Sequence, residues 1–347
     1  MDFYDIDIKK IDSQNMASQI ASLYTQISDS ISISDSFFNN DNRYKNIIKD
    51  YDNILIVGMG GSAIGADFAA ECSIHESNIP IRILRNYNIP NWVNDKTFVI
   101  ASSYSGNTEE TLSAYLQCLN LKCNSIVVST GGKLSEIAMD NNIGLIKIPK
   151  GYQPRAAIGY SLSIMLLIFE ELGLINNISS NLSKVSENCL GESTKDKAVE
   201  IAKKIHNKFP VIYSGEGFME TLSIRLKGQL AENSKILSYN SVFPEHNHNE
   251  IEGWNNLKEL IKDFVVIWIK DSQDSLEINN RMEIVSDMID VYSNHQIILD
   301  MVGESKIEKV FSMIHTIDWI SYYLALIYKV DPSPVNNISK LKSLMEK

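Results

Sequence analysis

The sequence predicts an α/β protein with two halves of similar plan, each a mainly parallel β-sheet flanked by helices. Apolar runs rich in Ile and Val recur along the chain and alternate with helical patterns. Strands that are apolar on both faces are typical of parallel sheets covered by helices. The alternation stops in a polar Asn- and Ser-rich stretch at 176–188 and then starts again. A chain of 347 residues is also long for one domain and natural for two.

The first half contains five predicted strands and the helices that connect them. The strands are NILIVG, IRIL, TFVIAS, SIVVS and GLIKI, at 53–58, 81–84, 97–102, 125–129 and 144–148. GADFAAEC, TEETLSAYLQCL and LSEIAMD have the pattern of connecting helices, and a longer helical stretch follows at about 156–174.

The second half repeats this plan with four predicted strands, at 209–215, 235–240, 263–270 and 295–300. LIVGMGGSAIGADF in the first half and VIYSGEGFMETLSI in the second are both a strand, a glycine-containing turn and a helix, which predicts a structural duplication. The predicted boundaries give an N-terminal helical extension (1–40), a first domain (41–155), a connecting helix and linker (156–190), a second domain (191–330) and a C-terminal segment (331–347).

The composition argues against several classes of partner. The net charge is −11 without a basic cluster, which argues against nucleic acid and anionic membranes. A small anionic ligand is still compatible, because a pocket can be locally positive on an acidic protein. The strongest apolar stretches, SLSIMLLIFEELGLI and WISYYLALIYKV, are shorter than a clean membrane span of about 20 residues. Both therefore predict helices buried in a large core.

Cysteine usage and the first residues predict a cytoplasmic protein. The N-terminal sequence MDFYDIDIKKIDSQ is charged and has no apolar segment, so we expect no signal peptide. The cysteines have no CxxC spacing and predict buried thiols in a reducing compartment. They are Cys72, Cys118, Cys123 and Cys189.

A glycine-rich turn, VGMGGSAIG at 57–65, follows the first strand and opens a helix. Such a turn lets the backbone approach an anion, and the helix start supplies unpaired N–H groups. The spacing Gly58-x-Gly60-x-x-Ala63 resembles a dinucleotide fingerprint, but the next strand ends at Arg85 without the acid that would hold a ribose. This disfavours a nicotinamide dehydrogenase and leaves open a phosphorylated cofactor, or a tight turn that binds no ligand.

The stretch SSYSGNTEET, at 102–111, presents many hydroxyl groups directly after a predicted buried strand. In open α/β sheets ligands bind at this carboxyl edge. Ser103, Ser105 and Thr108 surround a Gly-Asn pair, and several short donors that converge are suited to the oxygens of a phosphate. Thr108 before two glutamates also has the pattern of an ordinary helix cap. Capping needs one hydroxyl group and not four in seven residues, so the pattern favours phosphate.

These motifs resemble a known family. GMGGSAIGADF and SYSGNTEET resemble the first half of a sugar isomerase (SIS) domain. Together with PRAA, QLAEN, EHNHNEIEGW and DPSPVNNISKLK they resemble, in order from about residue 50 to the C-terminus, the bifunctional phosphoglucose/phosphomannose isomerase family. The resemblance implies two SIS domains, each with a five-stranded flavodoxin-like sheet in three layers. It also implies an aldose–ketose isomerase of carbohydrate metabolism that acts through a cis-enediol.

The resemblance also implies roles for individual residues. Glu232 is the base that moves a proton between C2 and C1, and Arg155 lies beside the enediolate. His248 and Lys340 open the sugar ring, and in this family the histidine comes from the neighbouring subunit of a homodimer. The residues implied in substrate binding are Gly61, Ser62, Ser103, Ser105, Thr108, Arg155 and Ser333.

The chemistry of the reaction fits these residue types. A base must reach C2 and C1 within about 3 Å, and a carboxylate serves once burial raises its pKa. A fixed guanidinium stabilises negative charge on the intermediate, and histidine titrates in the range needed at the ring oxygen. The scheme needs no redox cofactor and no metal. His246 and His248, with Glu245 and Glu250 nearby, leave a metal site conceivable, but no third ligand stands at a recognised spacing.

Taken singly, the implied catalytic residues also have ordinary structural explanations. A helical glutamate or a C-terminal lysine is usually solvated, and an arginine after proline often only starts a helix. A non-catalytic phosphosugar-binding module, another sugar-phosphate isomerase and a transferase related to glucosamine-phosphate synthase are the alternatives. A non-catalytic binding module needs no base, so QLAEN, NHNE and the C-terminal lysine segment argue against it. The transferase needs a glutamine-hydrolysing domain, usually with an N-terminal cysteine, and this chain has Asp2 there. Ser333 stands where the dual-specificity enzymes are expected to carry threonine, which bears on the substrate range.

Overall fold

The computed structural model describes residues 7–188 and 193–345. They form two compact units. The first unit comprises residues 21–188 with Ser305–Glu308, and the second comprises 7–20, 193–304 and 309–345. Cys189 lies outside the described residues.

The strands and helices alternate as the sequence predicts. The strands are β1 (Asn53–Val57), β2 (Ile81–Leu84), β3 (Thr97–Ser103), β4 (Ser125–Ser129), β5 (Gly144–Lys147), β6 (Phe209–Ser214), β7 (Tyr239–Val242), β8 (Phe264–Lys270) and β9 (Gln296–Asp300). The α-helices are α1 (Ile8–Ile11), α2 (Met16–Ala21), α3 (Leu23–Asn40), α4 (Gly60–Ser73), α5 (Glu109–Asn120), α6 (Gly132–Asp140), α7 (Ile158–Leu172), α8 (Ile178–Asn188), α9 (Ser193–Ile205), α10 (Phe218–Gln229), α11 (Lys258–Ile261), α12 (Leu276–Asp290), α13 (Lys306–Ile327) and α14 (Asn336–Met345).

The first unit is built on a five-stranded parallel sheet in the order β2-β1-β3-β4-β5. All residues of β3 and β4 are buried, because helices cover both faces of the sheet. On one face, Leu55, Val99 and Val127 pack against Tyr115 of α5 and Leu134 of α6. Helix α7 packs against both α3 and α4 elsewhere in the same unit.

The segment 176–188, which the sequence predicts to be part of a polar linker, is mostly the helix α8. Ile178, Leu182 and Val185 are buried, and their spacing places them on one face of a helix. Helix α8 packs against α3 and α7. Three apolar side chains at helical spacing are enough to anchor a segment that is otherwise polar.

The second unit has a parallel sheet of four strands in the order β7-β6-β8-β9. The prediction of five strands in each domain is therefore wrong for the described part of this unit. After β9 the chain passes through 301–305 directly into α13, and no further β-branched run follows there. The core of this unit joins Val211, Val266 and Trp268 of the sheet to Met282 and Val285 of α12.

Helix α13 is long and apolar enough, by length and composition alone, to cross a membrane. However, 83% of its most apolar 18-residue window is buried inside the chain. Core helices of globular proteins have the same properties, and α13 and α7 are the two buried helices that the apolar stretches predict.

Candidate active site

The glycine turn of the first unit joins β1 to the start of α4 and packs tightly against a neighbouring segment. A Cβ atom on Gly61 would lie 2.8 Å from the carbonyl oxygen of Pro154, so only glycine allows this approach. Arg155 is the next residue, and its Cα lies 3.7 Å from the same point. The structure thus brings Gly61, Ser62 and the backbone of Arg155 together at the N-terminus of α4, and helix N-termini favour anions.

The hydroxyl-rich loop lies beside the glycine turn because β1 and β3 are parallel neighbours, with Val57 opposite Ala101. The strand order also reverses between β1 and β3, and ligands of open α/β sheets bind at such a reversal. Both predicted phosphate-binding segments therefore end at one edge of one sheet.

The hydroxyl groups of this loop form a connected set. Ser103 Oγ and Thr108 Oγ1 are 2.9 Å apart, and Ser103 Oγ accepts a hydrogen bond from the Gly106 amide at 3.1 Å. Ser105 Oγ accepts one from the Asn107 amide at 3.2 Å, and Ser105 is exposed. Thr108 is the N-cap residue of α5, yet its side chain makes no capping hydrogen bond. Its hydroxyl group is directed to Ser103 instead.

A second turn, after β4, supports the hydroxyl-rich loop, and the sequence analysis did not select it. Asn107 Oδ1 accepts a hydrogen bond from the Lys133 amide at 3.0 Å, and Gly106 O accepts one from the Leu134 amide at 2.9 Å. Gly106 has a φ of +70° and its Cα faces the carbonyl of Gly131, so a side chain there would be strained and blocked. The Gly-Gly pair after the apolar run SIVVS was the signal for this turn.

Arginine side chains near this edge differ in their surroundings. Arg155 is buried in the 3-10 helix Pro154–Ala156. Arg85, at the end of β2, forms an ion pair with Asp67 of α4. The carboxylate of Asp67 occupies the guanidinium that a phosphorylated dinucleotide would need, which counts against the phosphorylated-cofactor alternative.

At the corresponding edge of the second sheet, a buried ion pair of the protein lies directly after β8. Lys309 donates to Asp271 Oδ1 at 2.7 Å and to Gln273 Oε1 at 2.8 Å, directly after β8. Both charged groups are buried. A phosphate would have to displace Asp271 from its lysine, so the loop after β8 does not provide a phosphate site like the one proposed for the hydroxyl-rich loop after β3.

Glu232 lies in a single π-helical turn, Leu230–Ser234, at the end of α10. Such turns are rare and are frequently found at functional sites. The turn ends at Lys235, which has a φ of +61°, and the Ile236 amide donates to Leu230 O at 3.2 Å. Glu232 is half-buried and lines a cavity of about 460 Å³.

The C-terminal segment forms the other side of this cavity. Its lining residues are Ala231, Glu232, Lys235, Pro334, Val335, Asn336, Asn337 and Ile338. Lys235, which the sequence analysis did not select, joins the two sides: its ammonium group donates to Glu232 O and, at 2.6 Å, to Pro334 O. Ser333 is fully buried, and its amide donates to Asp331 Oδ1 at 2.9 Å. In the sequence, Lys235 stands out only as the first residue of KILSYN, a run predicted to be a strand. In the structure, strand β7 begins at Tyr239.

The two neighbouring histidines have opposite environments. His248 is exposed at the end of the 3-10 helix Glu245–His248, whereas His246 is buried and stacks on Phe243 at 4.6 Å. Burial lowers the pKa of His246, against the opposing effect of Glu250. Lys340 is exposed on α14.

The described residues contain no group of three or more His, Cys, Asp or Glu side chains that could hold a metal ion. His246 and His248, the pair that the sequence left conceivable as metal ligands, differ in burial.

A parallel sheet with a glycine turn and a hydroxyl-rich loop at one edge is the arrangement that the resemblance to SIS domains implies. Residues 194–345 match the family described as the bacterial phospho-glucose isomerase C-terminal SIS domain. The C-terminal domain of glucosamine-fructose-6-phosphate aminotransferase from Francisella tularensis shares the fold, with a TM-score of 0.74 over 94% of this chain and 99% of that one. Its sequence identity is 16%, so this likeness shows the fold alone.

Comparison of whole sequences gives the family. A bifunctional phosphoglucose/phosphomannose isomerase from Caldicellulosiruptor bescii is 39% identical over 312 residues, which are 85% of this chain and 90% of the relative. Another from Aquifex aeolicus is 35% identical over 315 residues, covering 89% and 96%. The chain belongs to the bifunctional phosphoglucose/phosphomannose isomerase family.

Proposed function

We propose that this isomerase interconverts glucose 6-phosphate and mannose 6-phosphate with fructose 6-phosphate by proton transfer through a cis-enediol. The observation that carries the proposal is the match, over most of both chains, to relatives that are bifunctional phosphoglucose/phosphomannose isomerases. The hydroxyl loop and the half-buried glutamate supply the two chemical functions that such a reaction needs, phosphate binding and proton transfer.

The proposed phosphate-binding residues are Gly61, Ser62, Ser103, Ser105 and Thr108. The Ser103–Thr108 pair lies at the N-terminus of α5, and Ser62 lies at the N-terminus of α4. Hydroxyl groups and helix-start amides bind phosphate without a lysine or a metal. The hydroxyl group of Thr108 makes no capping hydrogen bond to the amides of α5, which supports its assignment to phosphate binding.

Glu232 is the proposed base, and Arg155 is the proposed partner of the enediolate. Glu232 faces a cavity of about 460 Å³ from a turn of unusual geometry. A carboxylate placed in this way takes the proton from C2 of the aldose and returns it to C1 of the ketose. Arg155 is buried, its backbone lies next to Gly61, and a guanidinium at this place stabilises the negative oxygen of the intermediate.

His248 and Lys340 are the proposed ring-opening groups, and we propose that His248 is supplied across the interface of a homodimer. His248 is exposed, as a residue that serves a second copy must be. Helix α14, which carries Lys340, has no buried residue. Its exposed apolar side chains are Ile338, Leu341, Leu344 and Met345. A second copy of the chain would cover such a face.

The proposal extends to specificity and to location. Ser333 keeps the hydroxyl group of the expected threonine and lacks its methyl group, so we propose that both epimers are accepted. We also propose a cytoplasmic location without nucleic-acid or membrane partners, which is supported by the free thiols of Cys72, Cys118 and Cys123.

The direct test is to incubate purified protein with fructose 6-phosphate and separate the products by chromatography. Formation of both glucose 6-phosphate and mannose 6-phosphate is the expected result. Formation of neither sugar phosphate by correctly folded protein would refute the proposed activity.

A further inference from the structure

A set of buried polar groups connects the Glu232 turn to helix α13. On one side, Arg225, Gln229, Asn233 and Ser234 follow each other along α10 and the π-helical turn. On the other side are Asp318 and Ser321 of α13. We refer to these six residues as the α13 ladder. All six are at most 3% exposed.

Each position of the α13 ladder is hydrogen-bonded. Arg225 donates from Nε at 3.1 Å and from Nη2 at 2.7 Å to Asp318, and Gln229 donates to the same carboxylate at 2.6 Å. Asn233 donates to Ser321 Oγ at 2.9 Å, and Ser234 Oγ donates to Ser321 O at 2.6 Å. Ser321 Oγ itself donates to Asp318 O at 2.8 Å. The network is continuous from Arg225 to the residues that directly follow Glu232.

We infer that the α13 ladder positions the Glu232 carboxylate, and that Ser321 is its central positioning residue. This inference rests on the proposed role of Glu232 as the base. Three consecutive residues of the turn have different contacts. Glu232 lines the cavity, while Asn233 and Ser234 both donate hydrogen bonds to Ser321. Two bonds from adjacent residues to one serine fix the rotation of the turn about its axis. Glu232 is then directed into the cavity as a consequence.

The geometry of the turn explains why such a support is needed. A π-helical turn holds one more residue than an α-helical turn, so relaxation to α-helix would rotate Glu232 by about 100°. Buried apolar contacts are non-directional and tolerate such a rotation, whereas hydrogen bonds to fixed partners do not. A fully satisfied buried network therefore selects one arrangement of the turn.

The central variant is Ser321→Ala, which removes the acceptor of Asn233 and leaves the carbonyl that Ser234 binds. Ser234→Ala removes the second bond and provides a separate measurement if the first variant folds poorly. Ser223→Ala is the matched control: Ser223 is also a buried serine on α10, but its hydroxyl group bonds Glu220 O at 2.7 Å, outside the ladder.

The measurements are kcat and KM per folded molecule, the melting temperature, and the isotope effect with substrate deuterated at C2. Misplacement of a base by a fraction of an ångström lowers the rate of proton transfer. We expect each ladder variant to lose roughly tenfold in kcat with KM within about twofold of the wild type. The isotope effect should be at least as large as in the wild type, because proton transfer becomes slower than the other steps. Ser223→Ala should keep both kcat and the isotope effect, whatever its melting temperature.

The outcomes separate this inference from the role of Glu232 itself. If Glu232→Gln is inactive while Ser321→Ala and Ser234→Ala keep the wild-type kcat per folded molecule, the α13 ladder does not position the base. A smaller isotope effect in the ladder variants would also overturn the inference, because a step other than proton transfer would then be affected. If Glu232→Gln itself stays active, the assignment of the base fails and the inference fails with it.

Discussion

Replacing Thr108 with valine tests whether the hydroxyl loop binds phosphate or only begins a helix. Valine keeps the branched shape of threonine and removes the hydroxyl group, and the φ of −69° and ψ of 118° at this position suit it. In the structure this hydroxyl group lies 2.9 Å from Ser103 Oγ and does not cap α5. The variant therefore removes one side-chain hydrogen bond within the protein and one proposed hydrogen bond to the ligand.

The expected magnitudes follow from these contacts. A hydrogen bond to a charged phosphate contributes about 1–2 kcal/mol, so affinity for phosphate and sugar phosphate should fall about 5- to 30-fold. Loss of the neutral bond to Ser103 should lower the free energy of unfolding by about 1 kcal/mol at most. The assays are the KM for fructose 6-phosphate and the rise of the melting temperature with inorganic phosphate.

Thr111→Val is the matched control on the same helix. The Thr111 hydroxyl group is buried and has no hydrogen-bond partner among the described residues. Its removal should leave ligand binding unchanged and should not destabilise the protein. The reasoning would be refuted if Thr108→Val kept wild-type phosphate affinity and lost about 1–2 kcal/mol of stability, as loss of a helix cap would give.

The remaining predictions concern five single residues and the effect of a chelator. Burial lowers the pKa of His315 to about 4 from its ordinary 6.5, so the folded protein holds it neutral and stability falls as pH drops from about 6.5 to 4. The loss is about 3 kcal/mol, and unfolding measurements should show that His315→Gln escapes most of it. Gly61→Ala should lower kcat/KM more than about tenfold by pushing Pro154 away, whereas Gly228→Ala, whose Cβ meets no atom within 4 Å, should stabilise α10 by roughly 0.5–1 kcal/mol. Steady-state assays should give catalytic efficiencies within about tenfold for the two epimers, since Ser333 lacks one methyl group, and activity should survive a strong chelator. A mannose 6-phosphate rate below about a hundredth of the glucose 6-phosphate rate would show that Ser333 does not replace threonine. His248→Ala should slow turnover of cyclic substrate far more than proton exchange on an open-chain tetrose phosphate; equal losses would exclude a role in ring opening.

Much of the fold could be predicted because a strand that is buried on both faces appears in the sequence as a continuous run of apolar residues. The strands of the first sheet coincide with the apolar runs within a residue or so, as a sheet covered on both faces requires. The run KILSYN was misleading: Lys235 ends a π-helical turn and β7 begins only at Tyr239. Leu237 and Tyr239 of this run are exposed, so its apolar residues do not mark a buried strand, and local composition does not reveal this.

The candidate site could be predicted only in part. Ser103, Ser105 and Thr108 stand close together in sequence, so one loop reveals them. The partners that hold Glu232 are remote: Asp318 lies 93 residues from Arg225, and Pro334 lies 99 residues from Lys235. No spacing rule connects such positions, because they meet only through the packing of α10, α13 and the C-terminal segment.

The measurement that tests the central claim most directly is the turnover of Glu232→Gln with fructose 6-phosphate. Glutamine keeps the size and packing of the side chain at the π-helical turn and removes the base. We predict a loss of more than about 10³ in kcat, with substrate binding retained. A variant within tenfold of the wild type, at equal substrate affinity, would contradict the account.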